Sequence, residues 1–264
     1  MADYPNPAGR FGSTARTEAT AGVIDEGLRA HMLRVYNYMV IGLAMTGLFA
    51  IGTFMLATSG TPNPDYVGGA QVGESLYLTG IGAALYTGPL MWVVFLAPLG
   101  LVFFLSFRIA HMSVTAAQTT FWIFAALLGV SLSSIFIVYD LGSIAQVFFI
   151  AAAMFGAMSL WGYTTRRDLT GMGSFLFMGL IGLIIAMVVN IFLASSALEF
   201  IISIVGVLIF TGLTAYDTQK IKEMYYANDD GTVAGRKAIM GALALYLDFI
   251  NLFLMLLRLM GNRQ

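Results

Sequence analysis

The chain has 264 residues, of which 59% are hydrophobic and 10% are charged, with a mean hydropathy of +0.84 and a net charge of −1. Because a soluble domain carries about 25% charged residues, this composition excludes a soluble globular protein and indicates an integral membrane protein, with membrane lipid as its surroundings. No basic patch points to nucleic acid as a partner, and the absence of Cys excludes disulfides and thiol chemistry.

The first 30 residues differ in composition from the rest of the chain, being rich in Gly, Pro, Ala and Thr. The first apolar run starts only near Val35, so this segment lacks the short charged start and apolar core of a cleaved signal peptide. A low content of large hydrophobic residues is typical of disorder. We therefore predict a disordered cytoplasmic N-terminal tail over residues 1–30 and a seven-helix transmembrane domain over residues 31–264.

Seven apolar runs follow, each near the ~20 residues that a helix needs to cross the hydrocarbon core. The predicted spans are 35–57, 88–107, 114–139, 142–163, 172–195, 198–217 and 238–259. They lack the alternating pattern of a membrane β-barrel, so the predicted fold class is an all-α membrane protein, a seven-transmembrane-helix bundle. Most loops are short, but the 58–87 connection is long. Within it, residues 75–86 are either a short surface helix or an early start of the second span.

The distribution of cations predicts the orientation of the bundle, because Lys and Arg accumulate in cytoplasmic loops. With a cytoplasmic N-terminus, eleven of the thirteen Lys and Arg residues lie inside. They are Arg10, Arg16, Arg29, Arg34, Arg108, Arg166, Arg167, Lys220, Lys222, Arg236 and Lys237. The outside loops between spans contain only acids, at Asp65, Glu74, Asp140 and Glu199. The remaining cations, Arg258 and Arg263, lie outside if the last span crosses fully, which the sequence leaves open.

Two acids lie within the last two apolar runs, where carboxylates are costly. Asp217 stands near the end of the sixth span, and Asp248 lies deeper in the seventh. An Asp at the centre of a membrane helix costs roughly 2.5–3.5 kcal/mol, so such residues usually face the protein interior and serve a function. A structural alternative is a protonated Asp that only hydrogen-bonds a neighbouring helix.

A meeting of Asp217 with Asp248 has a chemical consequence. Two carboxylates a few Å apart cannot both ionise cheaply, so one proton is shared and the pair titrates as a unit toward neutral pH. With the spans as predicted, Asp248 lies ~15 Å along the last helix from its start. The two depths therefore match only if the sixth helix extends deeper or the burial of the seventh begins later.

Arg108 ends the second span, at the same predicted cytoplasmic level as Asp217. One interpretation is an ordinary arginine whose charge reaches the interface. The other is an ion pair with the two acids that holds a pore shut. Asn190 and Asn251 are interpreted as hydrogen-bonding residues between helices.

Two segments of the chain resemble a known family. The strings GLTAYDTQKIK (Gly212–Lys222) and YLDFINLFL (Tyr246–Leu254), together with seven spans, are similar to the bacterial branch of the Bax inhibitor-1 family, the transmembrane Bax inhibitor motif-containing proteins. The resemblance implies a bundle with the last helix at its centre and two three-helix layers around it. It also implies a multi-pass protein of the bacterial inner membrane.

The resemblance further implies a pH-sensitive calcium leak channel. The aspartate dyad of the family falls on Asp217 and Asp248, which then bind calcium transiently, and its latch arginine falls on Arg108. No cofactor is implied, because calcium is the permeant ion.

Two other functions are weighed against a channel. An intramembrane aspartyl protease also places acids on consecutive helices, but such enzymes carry Gly-x-Gly-Asp and Pro-Ala-Leu motifs. Here LYL precedes Asp248 and no Pro occurs after Pro98, so we predict that the chain is not an enzyme. A non-channel regulator that binds other membrane proteins, such as a membrane protease, is the stronger alternative, with the N-terminal tail as its contact.

Overall fold

The computed structural model describes residues 8–61 and 76–263, with side chains described from Glu26 onward. In these parts the chain forms helices with the following bounds: α1 Ala8–Ala57, α2 Gly80–Tyr86, α3 Leu90–Arg108, α4 Val114–Leu132, α5 Ile135–Val138, α6 Leu141–Thr164, α7 Thr170–Leu193, α8 Ser196–Glu223 and α9 Gly231–Met260. A 3₁₀ turn at Ile109–His111 follows α3, and two short strands, β1 Thr58–Ser59 and β2 Tyr77–Leu78, pair antiparallel.

Seven of the described helical segments are long and apolar enough to cross a membrane, which confirms the predicted fold class. The predicted bounds are too short at the last loop, where α8 continues to Glu223 and α9 begins at Gly231. The polar ends stay helical because their groups find partners. Asp230 caps α9 by accepting the N–H of Val233, and Gln219 near the end of α8 bonds the loop between α6 and α7. The hydropathy of the sequence therefore predicts the apolar part of each helix but not the residue at which the helix ends.

The first helix starts earlier than the predicted span at 35–57. The backbone of α1 is helical from Ala8, and its span extends over Glu26–Ala57. Residues 1–7 and the side chains before Glu26 lie outside the described part of the chain. The disordered tail over residues 1–30 and the domain boundary at residue 31 therefore stay predictions.

The 58–87 connection contains a separate short helix and not an early start of the second span. The backbone N–H of Thr79 donates to the carbonyl of Ala57 at 2.9 Å, and the Thr79 hydroxyl caps α2. Leu78 and Ala83 are buried, so this short segment packs against the rest of the bundle and does not lie free on the surface. Residues 62–75, with Asp65 and Glu74, lie outside the described residues.

α9 is the most buried of the seven spans. In its most apolar window, 72% of the residues are buried, compared with 6–39% in the corresponding windows of the other six spans. It packs against α1, α4, α6 and α8, whereas α7 packs mainly on α8, and α3 mainly on α4. Small residues allow the close approach in lipid, since Gly241 faces Ile221 and Gly206 faces Met255. The division of the other spans into two three-helix layers stays a prediction.

The last helix crosses the bundle completely. Beyond its end, the carbonyl of Asn262 accepts the N–H of Asp140 at 3.1 Å, and the Arg263 guanidinium donates to Glu199 at 3.0 Å. Asp140 caps α6, and Glu199 lies in the first turn of α8. Arg263 also lies over the Tyr139 ring, and its interactions with Tyr139 and then with Glu199 raise the pKa of Arg263. We call this the acidic end of the bundle, and the end with the α3–α4, α6–α7 and α8–α9 loops the basic end.

A hydroxyl pair ties α9 to two other helices. The Tyr246 side chain is fully buried, and its hydroxyl lies 2.6 Å from that of Thr46 on α1. The Thr46 hydroxyl also lies 2.9 Å from the Ala125 carbonyl on α4. The Tyr246 ring packs edge-on against Phe121 and Phe124. Because a buried Tyr hydroxyl needs a partner, this cluster fixes the register of α9 against α1 and α4.

Close packing of α6 on α8 gives a test of the fold. A Cβ added at Gly162 would overlap the backbone of Ala215, whereas one added at Gly156 meets open space. We expect Gly162→Ala to force the helices apart and to destabilise the protein by about 1–3 kcal/mol. The measurement is the midpoint of thermal unfolding in detergent micelles, followed by tryptophan fluorescence.

Gly156→Ala on the same helix is the matched control and is expected to unfold at the wild-type temperature. Equal midpoints for the two variants would show that α6 and α8 are not in close contact at Gly162.

Candidate functional site

The two predicted acids meet inside the bundle. Asp217 on α8 and Asp248 on α9 lie within hydrogen-bonding reach of each other. The antiparallel packing of α8 on α9 brings them together, because α8 extends beyond residue 217 and α9 starts before residue 238. Asp217 is half-buried, and only 5% of Asp248 is exposed. The prediction that the two acids form a pair is thus supported by their placement.

The surroundings of Asp248 favour a shared proton. Its Oδ2 is buried, and no described N–H or O–H group donates to it. An unsatisfied buried carboxylate oxygen is costly. One proton held between Asp217 and Asp248 supplies the missing donor and removes one of two adjacent negative charges.

The dyad opens into a cavity of about 810 Å³ between α7, α8 and α9. Its wall is apolar except for a few side chains, and those include both acids, Asn251 and two cations. Lys220 lies toward the basic end, one helical turn after Asp217, while Arg258 lies toward the acidic end. A polar route along this cavity thus runs from one cation past two acids to the other cation.

Arg108 is not brought to the dyad in this structure. Its side chain is exposed at the end of α3, and α3 packs mainly against α4. Among the described residues, no ion pair joins Arg108 to Asp217 or Asp248. At the basic end, the cation that lines the cavity with Asp217 is Lys220, whose ammonium group lies 5.8 Å from the centre of the Tyr216 ring. The latch role of Arg108 stays a prediction.

A chain of hydroxyl groups beside the dyad was not anticipated from the sequence. The Tyr36 hydroxyl on α1 lies 2.6 Å from that of Ser159 on α6, which lies 2.9 Å from that of Thr218 on α8. Thr218 donates in turn to the Thr214 carbonyl at 2.7 Å. Thr218 follows Asp217 directly, so these bonds hold the backbone that carries the acid. Isolated Ser, Thr and Tyr residues in separate apolar runs give no signal that they share one network.

Two further polar residues fix the end of α8. Gln219 accepts the N–H of Leu169 and donates to the carbonyl of Arg167, both at 2.8 Å. Lys222 donates to the carbonyl of Tyr163 at 2.8 Å. Gln219 therefore anchors α8 to the α6–α7 loop, and Lys222 anchors it to the end of α6, both at the basic end. In the sequence, Lys222 indicated only the orientation of the bundle.

The interpretation of the two asparagines was wrong. Asn251 donates to the carbonyl of Leu247 on its own helix, and Asn190 accepts the N–H of Ser195. Asn190 thereby closes the turn after α7, where Ala194 adopts a left-handed conformation with φ 47°. Neither amide bonds a neighbouring helix through these contacts, because backbone groups of their own segments are nearer.

The donor set near the dyad does not form a closed metal site. Among the described residues, no group of three or more His, Cys, Asp or Glu side chains is positioned to bind an ion. Calcium takes six to eight oxygen ligands, and Asp217 with Asp248 provides at most four. At least two positions of a calcium shell would therefore remain for other ligands.

The sequence of the chain is similar to known proteins along nearly its whole length. A family profile described as "Inhibitor of apoptosis-promoting Bax1" matches residues 28–264. RP147 of Rickettsia prowazekii is 45% identical over 96% of this chain and 98% of its own. Inner membrane protein YbhL of Escherichia coli K12 is 45% identical over 90% of this chain and 94% of its own. A Caulobacter vibrioides protein is 42% identical over 91% and 92% of the two chains.

The geometry of the dyad predicts the effect of removing one acid. Asp248→Asn keeps the shape of the side chain, supplies an N–H donor to Asp217 and removes a buried charge. We expect it to stabilise the protein at pH 8 by about 1–3 kcal/mol, seen as a higher midpoint of thermal unfolding in detergent.

Asp168→Asn in the exposed α6–α7 loop is the control. Thr170 groups hydrogen-bond the Asp168 carboxyl and hold its pKa below the ordinary value, so this variant is not expected to gain stability. A lower midpoint for Asp248→Asn than for wild type would contradict the shared-proton arrangement.

Proposed function

The chain belongs to the Bax inhibitor-1 family, and from that premise we propose that it is a pH-sensitive calcium leak channel in which Asp217 and Asp248 sense pH and guide the ion. The observation that supports this proposal is the contact between the two carboxyl groups beside a cavity of about 810 Å³. A pair of acids inside an apolar bundle is costly to maintain. A function that uses their charge accounts for their presence.

Calcium suits this pair because it is a hard cation that prefers oxygen ligands. Two carboxylates provide a negative point within a cavity whose wall is mostly apolar. They do not complete a coordination shell, so the ion leaves again. In this proposal calcium is the permeant ion and not a resident cofactor.

The proposed pH response follows from the charge on the dyad. When Asp217 is ionised, it attracts a cation that closes the basic end of the route. Protonating the pair weakens that attraction and releases the closure, so the leak increases as the pH falls. The family resemblance assigns the closing cation to Arg108, which requires α3 to move toward α8. In the structure, the cation of the basic end that lines the cavity with Asp217 is Lys220.

The proposed location is the bacterial inner membrane, with the basic end in the cytoplasm. The accumulation of Lys and Arg at one end of the bundle supports this orientation. The name of the Escherichia coli relative places that protein in the inner membrane. With Arg258 and Arg263 at the acidic end, this end still carries far fewer cations than the other.

The channel proposal is tested by calcium entry into proteoliposomes that contain a fluorescent indicator, measured from pH 6 to pH 8. We expect entry into wild-type vesicles to increase as the pH falls. Asp217→Asn and Asp248→Asn are each expected to change the rate several-fold and to flatten its dependence on pH, because the shared proton is lost.

Asp168→Asn is again the control, since it removes an acid outside the bundle, and it is expected to behave as wild type. Wild-type rates and an unchanged pH profile in both dyad variants would refute the assignment of Asp217 and Asp248.

The identity of the closing cation is tested separately. Since Lys220 lines the cavity and Arg108 does not, we expect Lys220→Gln to raise calcium entry at pH 8 more than Arg108→Gln does. A larger effect of Arg108→Gln would instead support the latch arginine and a closed state in which α3 lies against α8.

A further inference from the structure

A second concave surface lies on the other side of the bundle from the dyad cavity. It is a groove between α1 and α6 with Phe249 of α9 at its floor, made of two adjoining cavities of about 580 and 490 Å³. The cavities share Tyr36 and Phe155, so they adjoin each other along α1. We call it the α1–α6 groove.

The length of the groove matches the membrane. Along α1 it extends from Arg29 to Gly47, which is about 27 Å at 1.5 Å per residue. The hydrocarbon core of a bilayer is about 30 Å thick. The groove therefore faces the acyl chains over most of their depth.

The walls of the groove are apolar and are not closed by the protein itself. Cβ atoms added at Gly47 or Gly156 would meet no atom within 4 Å. The polar groups that border the groove are satisfied internally, because the Tyr36 and Ser159 hydroxyls bond each other. An occupant of this groove needs no hydrogen-bonding groups along its length.

Positive charge gathers at the basic end of the groove. Arg29 lines this end directly. Tyr163 lines it too, and the Lys222 ammonium group lies 5.3 Å from the centre of its ring while donating to its carbonyl. Two cations near the level of lipid headgroups, above an apolar groove, are complementary to a phosphate that carries an acyl chain.

We propose that the α1–α6 groove is a binding site for an anionic phospholipid, with the phosphate at Arg29 and Lys222 and one acyl chain along Tyr36 and Gly156. The arginine at one end of an otherwise apolar groove favours an anionic lipid over an apolar partner helix. The site is separate from the dyad, so the proposal does not rest on the proposed function.

Native mass spectrometry of the full-length protein in detergent tests this proposal. Phosphatidylglycerol is titrated against phosphatidylcholine with the same acyl chains, and bound lipids are counted. We expect the anionic lipid to bind at least ten-fold more tightly. Arg29→Gln is expected to remove most of that preference, and Gly156→Leu, which fills the groove, to reduce binding of both lipids at least ten-fold.

Two matched variants control for general effects. Gly182→Leu on α7 adds the same side chain where a Cβ also meets open space, and Arg166→Gln removes a cation of the α6–α7 loop. Both are expected to bind lipid as wild type does.

Either of two results overturns the proposal. Wild-type binding by Gly156→Leu shows that the chain does not lie in the groove, and equal affinity for the two lipids shows that the cations do not select the headgroup. If Gly156→Leu instead converts a dimer to a monomer while lipid binding is unchanged, the groove accepts a second copy and the lipid site is wrong.

Discussion

The contact between the carboxyl groups of Asp217 and Asp248 is the interaction that the arrangement of the surrounding helices must maintain. Adjacent acids in a mostly apolar interior are costly, so the helices that carry them must be held in place. α8 is held by the hydroxyls of Ser159 and Thr218 and by the bonds of Gln219, and α9 by the Tyr246 hydroxyl. Both helices of the pair are therefore fixed by side-chain hydrogen bonds.

The bundle presents two faces with different chemistry. The α7–α8–α9 side contains the acids in a cavity that has a cation toward either end, and α7, its outer wall, is the least buried span. The α1–α6 side is an apolar groove with cations at one end only. The hydroxyl of Tyr36 lies at the groove, and its bonded partners lead to the residue next to Asp217.

The fold was predictable because the signals for membrane spans are local in the sequence. The contacts between helices were not predictable, since they join residues that are distant in the sequence. Seven apolar runs are enough to give seven spans and, from Lys and Arg, a preferred orientation. The meeting of Asp217 with Asp248 followed from chemistry and resemblance, yet the boundaries then drawn placed them at different depths. Polar residues such as Gln219, which lengthen α8, look like a loop to any hydropathy window. For Arg108 the sequence gives a level along α3 but not the side of the bundle that the side chain faces.

The burial of α9 also has a consequence for biogenesis. The ribosome synthesises α9 after the other six spans. Of the residues in its most apolar window, 72% are buried against those spans. Until it leaves the translocon, Asp217 has no partner acid and Thr46 has no Tyr246. The nascent protein therefore lacks part of its polar interior until α9 inserts. A chain stalled before that step exposes Asp217 and the surface that α9 covers within the bilayer, where an uncompensated polar group is costly.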